Sequence, residues 1–325
     1  MTSSTPLIVV PDDFPSIFKG TPAEERCANL GETRIFTERG ADQETELARR
    51  LDGARVAINI RAHARFSDAV FAACPALQLI SVWGTGTDNI DLESAARHGV
   101  TVCSTAGVNA NAVAEHTVAL MLAVARSIPK LDREMRAGAW PRELLTQLLG
   151  KTLGVFGTGT IGLRVIALAK ALGMTVLAWS ARGDNARAAA AGAHAAPKEQ
   201  ILREADVITL HLRLTPETRG FLGARELSLM KRSAILINTG RGALVERQAL
   251  LDALAQDRIR AGLDVFHDEP VKAGDPVLPL PNVVLSPHNA GQTPEVIRDG
   301  LLLAVENVEH FLQGQATNVV SPRRP

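Results

Sequence analysis

The chain contains 325 residues, of which 46% are hydrophobic and 22% are charged, and its 35 Lys and Arg balance 35 Asp and Glu. This composition is typical of a folded globular protein and excludes disorder for most of the chain, and the length predicts about two domains. Because the charges balance, the chain has no overall positive field, and we expect neither a nucleic acid nor a membrane as a partner.

The cysteine content and the N-terminal residues predict a cytoplasmic protein. The three cysteines, Cys27, Cys74 and Cys103, are an odd number without CxxC spacing, which favours reduced thiols that fill the core. The N-terminal residues show no basic stretch followed by an apolar stretch of signal-peptide length. The longest membrane-like run, residues 118–125, falls well short of the ~20 residues that cross a bilayer.

Short apolar, β-branched runs alternate with helical patterns along the chain. Such alternation predicts parallel sheets covered by helices on both faces. The first series of predicted strands is 7–10, 56–60, 77–82 and 101–104. The second series is 152–156, 175–179, 206–212, 234–238, 262–266 and 283–286. Two series of strands predict two doubly wound α/β units.

Two long apolar helices are predicted outside these strand series. Residues 111–128 carry few charges, and we expect this helix to connect the two domains and to be buried between them. Residues 295–312 follow the last strand of the second series, and we expect them to pack back onto the first domain, which is then split in sequence. The Ala-rich stretch 186–196 favours a surface helix over a disordered linker.

A glycine-rich loop follows the first strand of the second series. Gly157, Gly159 and Gly162 form a GxGxxG pattern between a predicted strand and a predicted amphipathic helix. The first glycine permits a tight turn, the second lets the backbone approach a pyrophosphate, and the third allows close packing of helix on strand. The helix N-terminus offers free N–H groups. With the next strand this makes a βαβ unit, which predicts a dinucleotide-binding site. The predicted contacts in the loop are Gly157, Thr158, Gly159, Thr160, Ile161 and Gly162.

The end of the next strand bears on the choice between NAD and NADP. An NAD site normally carries Asp or Glu about 20 residues after the glycine loop, whereas this chain has Trp179-Ser-Ala-Arg182. The missing carboxylate removes the repulsion of a 2′-phosphate, and Ser180 with Arg182 would bind one, which favours NADP. NAD stays open, with Arg182 in solvent and Asp184 or a main-chain group serving the ribose.

Further polar residues follow other predicted strands, where ligands of open α/β sheets bind. They include the loop Gly84-Thr-Gly86, Arg241, Glu269 and His288. Hydride transfer to a 2-keto acid needs a cation for the substrate carboxylate and carbonyl, and an acid that protonates the forming alkoxide. Arg241 suits the first role and His288 the second, with Glu269 as the neighbour that raises the histidine pKa.

Each of these residues also has a plain structural interpretation. Arg241 would pair with a surface acid, Glu269 would be a solvated loop carboxylate, and His288 would be a surface histidine with its hydrogen bonds satisfied. The other histidines lack a spacing typical of metal sites, so we expect no metal. The sequence has no GxSxG motif of a hydrolase.

Taken together, the segments resemble the D-isomer-specific 2-hydroxyacid dehydrogenases, the family that includes phosphoglycerate dehydrogenase and the glyoxylate/hydroxypyruvate reductases. The resemblance runs from about residue 56 to residue 310. It rests on Gly84-Thr-Gly-Thr-Asp-Asn-Ile-Asp91, Val113-Ala-Glu-His-Thr117, the Gly157 loop, Asn238-Thr-Gly-Arg-Gly242, Leu263-Asp-Val-Phe266 with Glu269-Pro270, and Ser286-Pro-His288.

The resemblance implies a Rossmann cofactor domain, 107–289, inserted in a flavodoxin-like substrate domain, 1–106 and 290–325. It makes Arg241 the substrate-binding and polarising arginine, Glu269 the carboxylate partner, and His288 the acid/base. The backbone of Gly84 and Thr85 would hold the substrate carboxylate. The resemblance also implies Arg61 near the distal part of the substrate, Asp264 on the nicotinamide amide, and cofactor contacts at His211, Leu212, Arg213, Thr239, Gly240 and Gly291.

Two positions depart from the family pattern. Arg213 stands where the family commonly has proline, near the expected cofactor cleft, where it would bind a phosphate or face solvent. Ala106 replaces the frequent proline before Gly107.

The resulting expectation is an NAD(P)-dependent reductase of a small 2-keto acid such as glyoxylate or hydroxypyruvate, which forms a homodimer as family members commonly do. One alternative is a relative that oxidises phosphite, formate or 3-phosphoglycerate, with Arg61 and Arg65 admitting a phosphorylated substrate. The other is a non-catalytic, cofactor-sensing protein related to transcriptional corepressors. Turnover of any keto acid would exclude the last.

Overall fold

The structure of the protein is a computed structural model, and it describes residues 5–60, 63–181, 183 and 185–320. The chain divides into two compact units. The first unit consists of Met1–Asn109 and Gln292–Pro325, and the second unit consists of Ala110–Gly291. The second unit is therefore an insertion in the chain of the first.

The helices and strands are named in chain order. The first unit begins with β1 (Leu7–Val10), α1 (Pro22–Ala28), β2 (Glu32–Ile35), α2 (Glu44–Arg50), β3 (Val56–Asn59), α3 (Asp68–Ala73), β4 (Leu79–Val82), α4 (Leu92–Arg97) and β5 (Thr101–Ser104). The second unit contains α5 (Ala110–Ala125), α6 (Ile128–Arg136), β6 (Thr152–Phe156), α7 (Thr160–Ala171), β7 (Thr175–Trp179), α8 (Asn185–Ala190), β8 (His194–Ala195), α9 (Lys198–Glu204), β9 (Val207–Leu210), α10 (Ala224–Leu229), β10 (Ala234–Asn238), a 3₁₀ turn (Gly242–Leu244), α11 (Arg247–Ala255), β11 (Ile259–Leu263) and β12 (Val283–Leu285). The chain then returns to the first unit as α12 (Pro294–Leu312).

The first unit is built on a five-stranded parallel sheet in the order β2-β1-β3-β4-β5. Every residue of β3 and β4 is buried, as continuous apolar runs predict for strands covered on both faces. Leu301 of α12 is buried in the same apolar cluster as Ile8 and Val10 of β1. The hydroxyl of Ser81 on β4 donates to the carbonyl of Ala304 at 2.7 Å. The returning helix is therefore part of the core of the first unit.

The second unit is built on a seven-stranded parallel sheet in the order β12-β11-β10-β9-β6-β7-β8. Its first strand, β6, lies inside the sheet: the chain winds through β7 and β8 to one edge, and β9 then pairs with the other side of β6. Such a reversal opens a crevice at the carboxyl ends of β6 and β9, where dinucleotides bind in sheets of this type. Gly157 follows β6 and His211 follows β9, so both residues lie at this crevice.

The predicted fold class, two doubly wound parallel sheets, is confirmed, but two edge strands were not predicted. In β2, the charged Glu32 and Arg34 alternate with Thr33 and Ile35, and an edge strand tolerates such charges because one of its sides has no neighbouring strand. The Ala-rich stretch 186–196, predicted as a helix, forms α8, a turn and the two-residue edge strand β8.

Two predicted elements end three residues later than the corresponding elements of the structure. The strand predicted over 262–266 is β11, which ends at Leu263, because its pairing with β10 begins at Ile259 and continues through Arg260, which interrupts the apolar pattern. Asp264 is therefore the first residue after the strand. The helix predicted over 111–128 divides into α5 and α6, because Ser127 adopts a left-handed backbone with φ of 49°.

The cysteines are buried and none is in a disulfide. Burial raises the pKa of Cys27 and of Cys103 to about 11, which is the behaviour of thiols that fill a core. Among the described residues, no helix combines the length and the apolar character that a bilayer crossing requires.

Candidate active site

The glycine-rich loop connects the internal strand β6 to α7. Gly157 has a positive φ of 104°, and a Cβ on it would collide with the carbonyl oxygen of His211. A Cβ on Gly162 would collide with the carbonyl oxygen of Gly157. Both glycines are therefore required by the packing of the unit itself, as a tight turn and a close helix contact demand.

Gly159 is different, because a Cβ on it would meet no atom of the described chain within 4 Å. It is the N-cap of α7, and having no side chain it leaves the N–H groups of the first turn uncapped. An uncapped N-terminus beside open space fits a pyrophosphate, which needs close approach to backbone N–H groups. Thr158 is nearly buried, whereas Thr160 is exposed at the start of the helix.

His211 lies beside this loop, directly after β9. Its N–H donates to the carbonyl of Phe156 at 2.7 Å, and its Nε2 lies 3.0 Å from the hydroxyl of Thr209. Burial lowers the pKa of His211 to about 4, so the ring is neutral at neutral pH. Leu212 packs against the core, and Arg213 is exposed.

The end of β7 is described only in part. Trp179 packs against Phe156 and Phe221, with ring centroids 6.1 and 5.2 Å away, and the carbonyl of Ser180 accepts a hydrogen bond from Gly183 at 3.1 Å. Arg182 and Asp184, the two residues on which the choice of cofactor was argued, lie outside the described residues.

The loop after β10 is shaped by a buried amide. Asn238 is 1% exposed; its Nδ2 donates to the carbonyl of Arg241 at 2.9 Å, and its Oδ1 accepts from the N–H of Gly240 at 3.0 Å. The Arg241 guanidinium donates to the carbonyl of Gly240 at 2.9 Å, and the hydroxyl of Thr239 lies 2.9 Å from that of Thr117. These bonds hold the backbone on both sides of Arg241.

His288 and Glu269 form a hydrogen-bonded pair. Nδ1 of His288 lies 2.7 Å from Oε2 of Glu269, and the other carboxylate oxygen accepts from the N–H of Phe266 at 2.8 Å. Burial acts to raise the pKa of Glu269, but the hydrogen bond and charge of His288, the Phe266 N–H and the charge of Arg241 outweigh it and hold the pKa below its ordinary value. Because Nδ1 faces the carboxylate, Nε2 is the nitrogen placed to exchange a proton with a ligand.

Asp264 organises the segment that carries His288. Its side chain is fully buried; one carboxylate oxygen accepts from the Ser286 hydroxyl and from the N–H of Asn289, and the other accepts from the N–H of Ala290 at 3.0 Å. The N–H of His288 donates to the Asp264 carbonyl at 2.8 Å. Three residues after β12, Ser286, Asn289 and Ala290, thus bond to one carboxylate, and His288 bonds to the main chain of the same residue.

The pKa of Asp264 reflects this wrapping. Burial acts to raise it, but hydrogen bonds from the side chains of His116 and Ser286 and from the backbone of Asn289 and Ala290 hold it below its ordinary value. The carboxylate is therefore ionised at neutral pH. Sequence reasoning assigned no role to His116 or Ser286, although both lie in segments that carry the family resemblance.

The second unit brings together most of the predicted site. Arg241, Glu269 and His288 follow β10, β11 and β12, three neighbouring strands, and Gly291 ends the unit. Gly84 and Thr85 belong to the first unit, after β4; Gly84 has a positive φ of 127°, and its N–H donates to the hydroxyl of Thr105 at 2.7 Å. Arg61 lies outside the described residues.

The chain is similar to known proteins both in sequence and in fold. The model of a family described as "D-isomer specific 2-hydroxyacid dehydrogenase, NAD binding domain" matches residues 118–290. The chain is 40% identical to a glyoxylate reductase of Aeropyrum pernix, over 79% of this chain and 81% of that protein. It is 36% identical to a D-3-phosphoglycerate dehydrogenase of Methanocaldococcus jannaschii over 90% of this chain, and it spans only 56% of that longer protein. The crystal structure of a glyoxylate reductase from Paecilomyes thermophila matches with a TM-score of 0.89 at 28% identity, covering 98% of this chain and 99% of that one.

Proposed function

The chain belongs to the family of D-isomer specific 2-hydroxyacid dehydrogenases, and we propose that it reduces a small 2-keto acid, glyoxylate or hydroxypyruvate, to the corresponding 2-hydroxy acid. As a member of this family it is an oxidoreductase that uses a nicotinamide cofactor and acts on a CH–OH group. The observation that carries the proposal is the His288–Glu269 pair, with Nδ1 and Oε2 2.7 Å apart, on the same sheet as the glycine-rich loop.

In this proposal each residue of the centre has one task. The bound nicotinamide supplies the hydride. Nε2 of His288 donates a proton to the substrate oxygen, which becomes a hydroxyl, and Glu269 stabilises the imidazolium that donates it. Arg241 binds the substrate carboxylate and polarises its carbonyl, because a guanidinium presents two parallel donors to a carboxylate.

The residues proposed to hold ligands follow the same pattern. The uncapped N–H groups after Gly159 would bind the pyrophosphate. Gly84 and Thr85 of the first unit, the proposed substrate domain, would bind the substrate carboxylate through their N–H groups, with Arg61 towards its distal end. Further proposed cofactor contacts are Gly157, Thr158, Thr160, Ile161, Gly162, His211, Leu212, Arg213, Thr239, Gly240, Asp264 and Gly291.

For the cofactor we propose NADP over NAD. No carboxylate stands at Trp179 or Ser180, where a ribose-binding acid of an NAD site would repel a 2′-phosphate. Ser180 and Arg182 are the residues proposed to bind that phosphate. A KM for NADH well below the KM for NADPH would contradict this choice.

We also propose that two copies of the chain associate through the second unit, in the cytoplasm. Large apolar side chains are exposed on α5, on α6 and in residues 137–150, which form no helix or strand. The exposed side chains are Leu122, Ile128, Met135, Trp140, Leu144, Leu145 and Leu149. Trp140 is 74% exposed, and exposed apolar groups in such number mark an association surface.

Initial rates of NADPH and NADH oxidation test the reaction. The substrates are glyoxylate, hydroxypyruvate, pyruvate, phenylpyruvate and a branched 2-keto acid, and we expect turnover of the first two with preference for NADPH. The variant His288→Asn, which removes the proposed proton donor, should lower turnover by at least about 10²-fold. It should still bind NADPH, which the fluorescence of NADPH measures. Cofactor binding without turnover of any keto acid would overturn the proposal and favour a cofactor sensor.

A further inference from the structure

His116 lies on α5 and has no task in the reaction proposed above. Its side chain is 26% exposed. Nε2 lies 2.8 Å from the hydroxyl of Ser286 and 3.5 Å from a carboxylate oxygen of Asp264. The histidine therefore contacts the start of the segment 286–290, which carries His288.

The protons in this group can be assigned from the donors present. The Asp264 carboxylate is ionised, so it only accepts hydrogen bonds. The Ser286 hydroxyl has a single proton, which it donates to Asp264. The proton between His116 and Ser286 must therefore come from Nε2 of His116. The three residues therefore form a donor chain, in which His116 donates to Ser286 and Ser286 donates to Asp264.

The backbone of His288 needs this support. Its φ of 55° lies in the left-handed region, which a residue with a side chain adopts only where its surroundings hold it there. Asp264 holds it through the N–H groups of His288, Asn289 and Ala290. Ser286, joined to Asp264 and to His116, connects this segment to the sixteen-residue helix α5.

We propose that His116 is a positioning residue for the acid/base histidine. As the terminal donor of the chain, it fixes the Ser286 hydroxyl on Asp264 and so keeps the His288 ring aimed at Glu269. The inference rests on the proposed role of His288. If His116 were merely a surface histidine that pairs with a nearby serine, turnover would not depend on its donor.

Two substitutions at His116 separate these readings. In His116→Gln the side-chain amide can still donate to Ser286, whereas His116→Leu removes the donor and keeps an apolar side chain. We expect the leucine variant to lower kcat by about 10-fold to 100-fold, since a small misplacement of an acid/base group costs that much. Its KM for NADPH should stay within about twofold of the wild-type value. The glutamine variant should recover most of the loss. The solvent deuterium isotope effect on kcat should rise in the leucine variant, because proton transfer becomes slower.

The matched control is His310→Leu, since His310 is a half-exposed helical histidine that bonds a threonine hydroxyl in the first unit at 2.9 Å. It should keep the wild-type kcat and isotope effect. If His116→Leu does not fold, Ser286→Ala and Ser286→Thr provide the same comparison, with and without the hydroxyl. The proposal would be overturned if His116→Leu or Ser286→Ala kept the wild-type kcat and isotope effect. It would also be overturned if the two His116 variants, or the two Ser286 variants, lost the same share of kcat.

A spectrum of the wild-type protein tests the donor chain without any turnover. In protein labelled with ¹⁵N-histidine, at a pH well above the ordinary histidine pKa, the His116 signal is identified by its absence in His116→Gln. We expect a proton on Nε2 and a shift of that signal in Ser286→Ala. A proton on Nδ1 alone would overturn the inference even if the enzyme is active. A wild-type protein with the expected spectrum but no turnover would instead overturn the proposed function.

Discussion

The bond between Glu269 and His288 couples a charge to a proton-transfer group. Because the pKa of Glu269 is held below its ordinary value, the carboxylate stays ionised to a lower pH than an ordinary glutamate does, and its support of the imidazolium is lost only below that pH. We predict that Glu269→Gln, which keeps a hydrogen-bond acceptor but removes the charge, lowers kcat by about 10²-fold at neutral pH. The pH dependence of kcat for both enzymes checks this.

The control for this prediction is Glu295→Gln. Glu295 also has a lowered pKa, but it lies in the first turn of α12 and outside the second unit. Its replacement should leave the kcat profile as in the wild type. A Glu269→Gln enzyme with the wild-type kcat would be incompatible with the role given to the pair.

His211 links the stability of the fold to pH. Burial lowers its pKa to about 4, whereas in the unfolded chain it is about 6.5. As the pH falls through this window the unfolded chain takes up a proton that the folded chain does not, so the free energy of unfolding decreases. We predict that His211→Gln removes this component, which amounts to about 3 kcal/mol. Urea unfolding of the wild type and the variant, between pH 4 and pH 6.5, measures this difference. If the free energy of unfolding fell equally with pH in both proteins, the prediction would be refuted.

Ligands of open α/β sheets bind beyond the carboxyl ends of the strands, and this explains which site residues can be singled out from sequence. Arg241, Glu269 and His288 are polar residues that follow apolar runs, so position alone draws attention to them. His116 and Ser286 are 170 residues apart in sequence, and a histidine on an apolar helix shows no partner until the chain folds. Their contact was therefore beyond any local pattern.

At the scale of elements, the fit of α12 onto β4 depends on a residue without a side chain. A Cβ on Gly300 would lie 2.5 Å from Nε1 and 2.8 Å from Cδ1 of the Trp83 indole. We predict that Gly300→Ala lowers the free energy of unfolding by about 1–3 kcal/mol, the usual cost of overpacking. Denaturant unfolding measures this cost. Repeating the substitution in a Trp83→Leu background should remove most of it, and an equal cost in both backgrounds would exclude the indole as its cause.

The elements that sequence predicts best are those covered on both faces. β3, β4 and β10 are buried throughout and carry one polar residue each, because each strand lies between two neighbouring strands. The edge strand β2 carries the charged residues Glu32 and Arg34, so a search for continuous apolar runs does not identify it as a strand. The end of β11 was misplaced because backbone pairing, which side-chain polarity does not report, decides where a strand stops.

At the scale of the whole molecule, the exposed apolar side chains of α6 and residues 137–150 predict self-association. We expect the wild-type chain to elute with about twice its 34.6 kDa mass in size-exclusion chromatography with light scattering. The double substitution Trp140→Glu with Leu144→Glu should give the single-chain mass, because two charges oppose burial of that surface. Leu278→Glu, at another exposed leucine of the second unit, should leave the mass at the wild-type value. A wild-type monomer would end the dimer proposal.

The return of α12 to the first unit has a consequence for biosynthesis. The apolar face that Leu301 and Val305 cover, which includes Ile8 and Val10, leaves the ribosome before the second unit is made and stays open while Ala110–Gly291 is translated. At about 5–20 residues per second, that interval lasts roughly 10–40 s. The inserted unit can complete its own sheet in this time, whereas the first unit, whose synthesis begins earlier, is completed last. A nascent chain stalled before residue 294 would therefore expose that apolar face to chaperones.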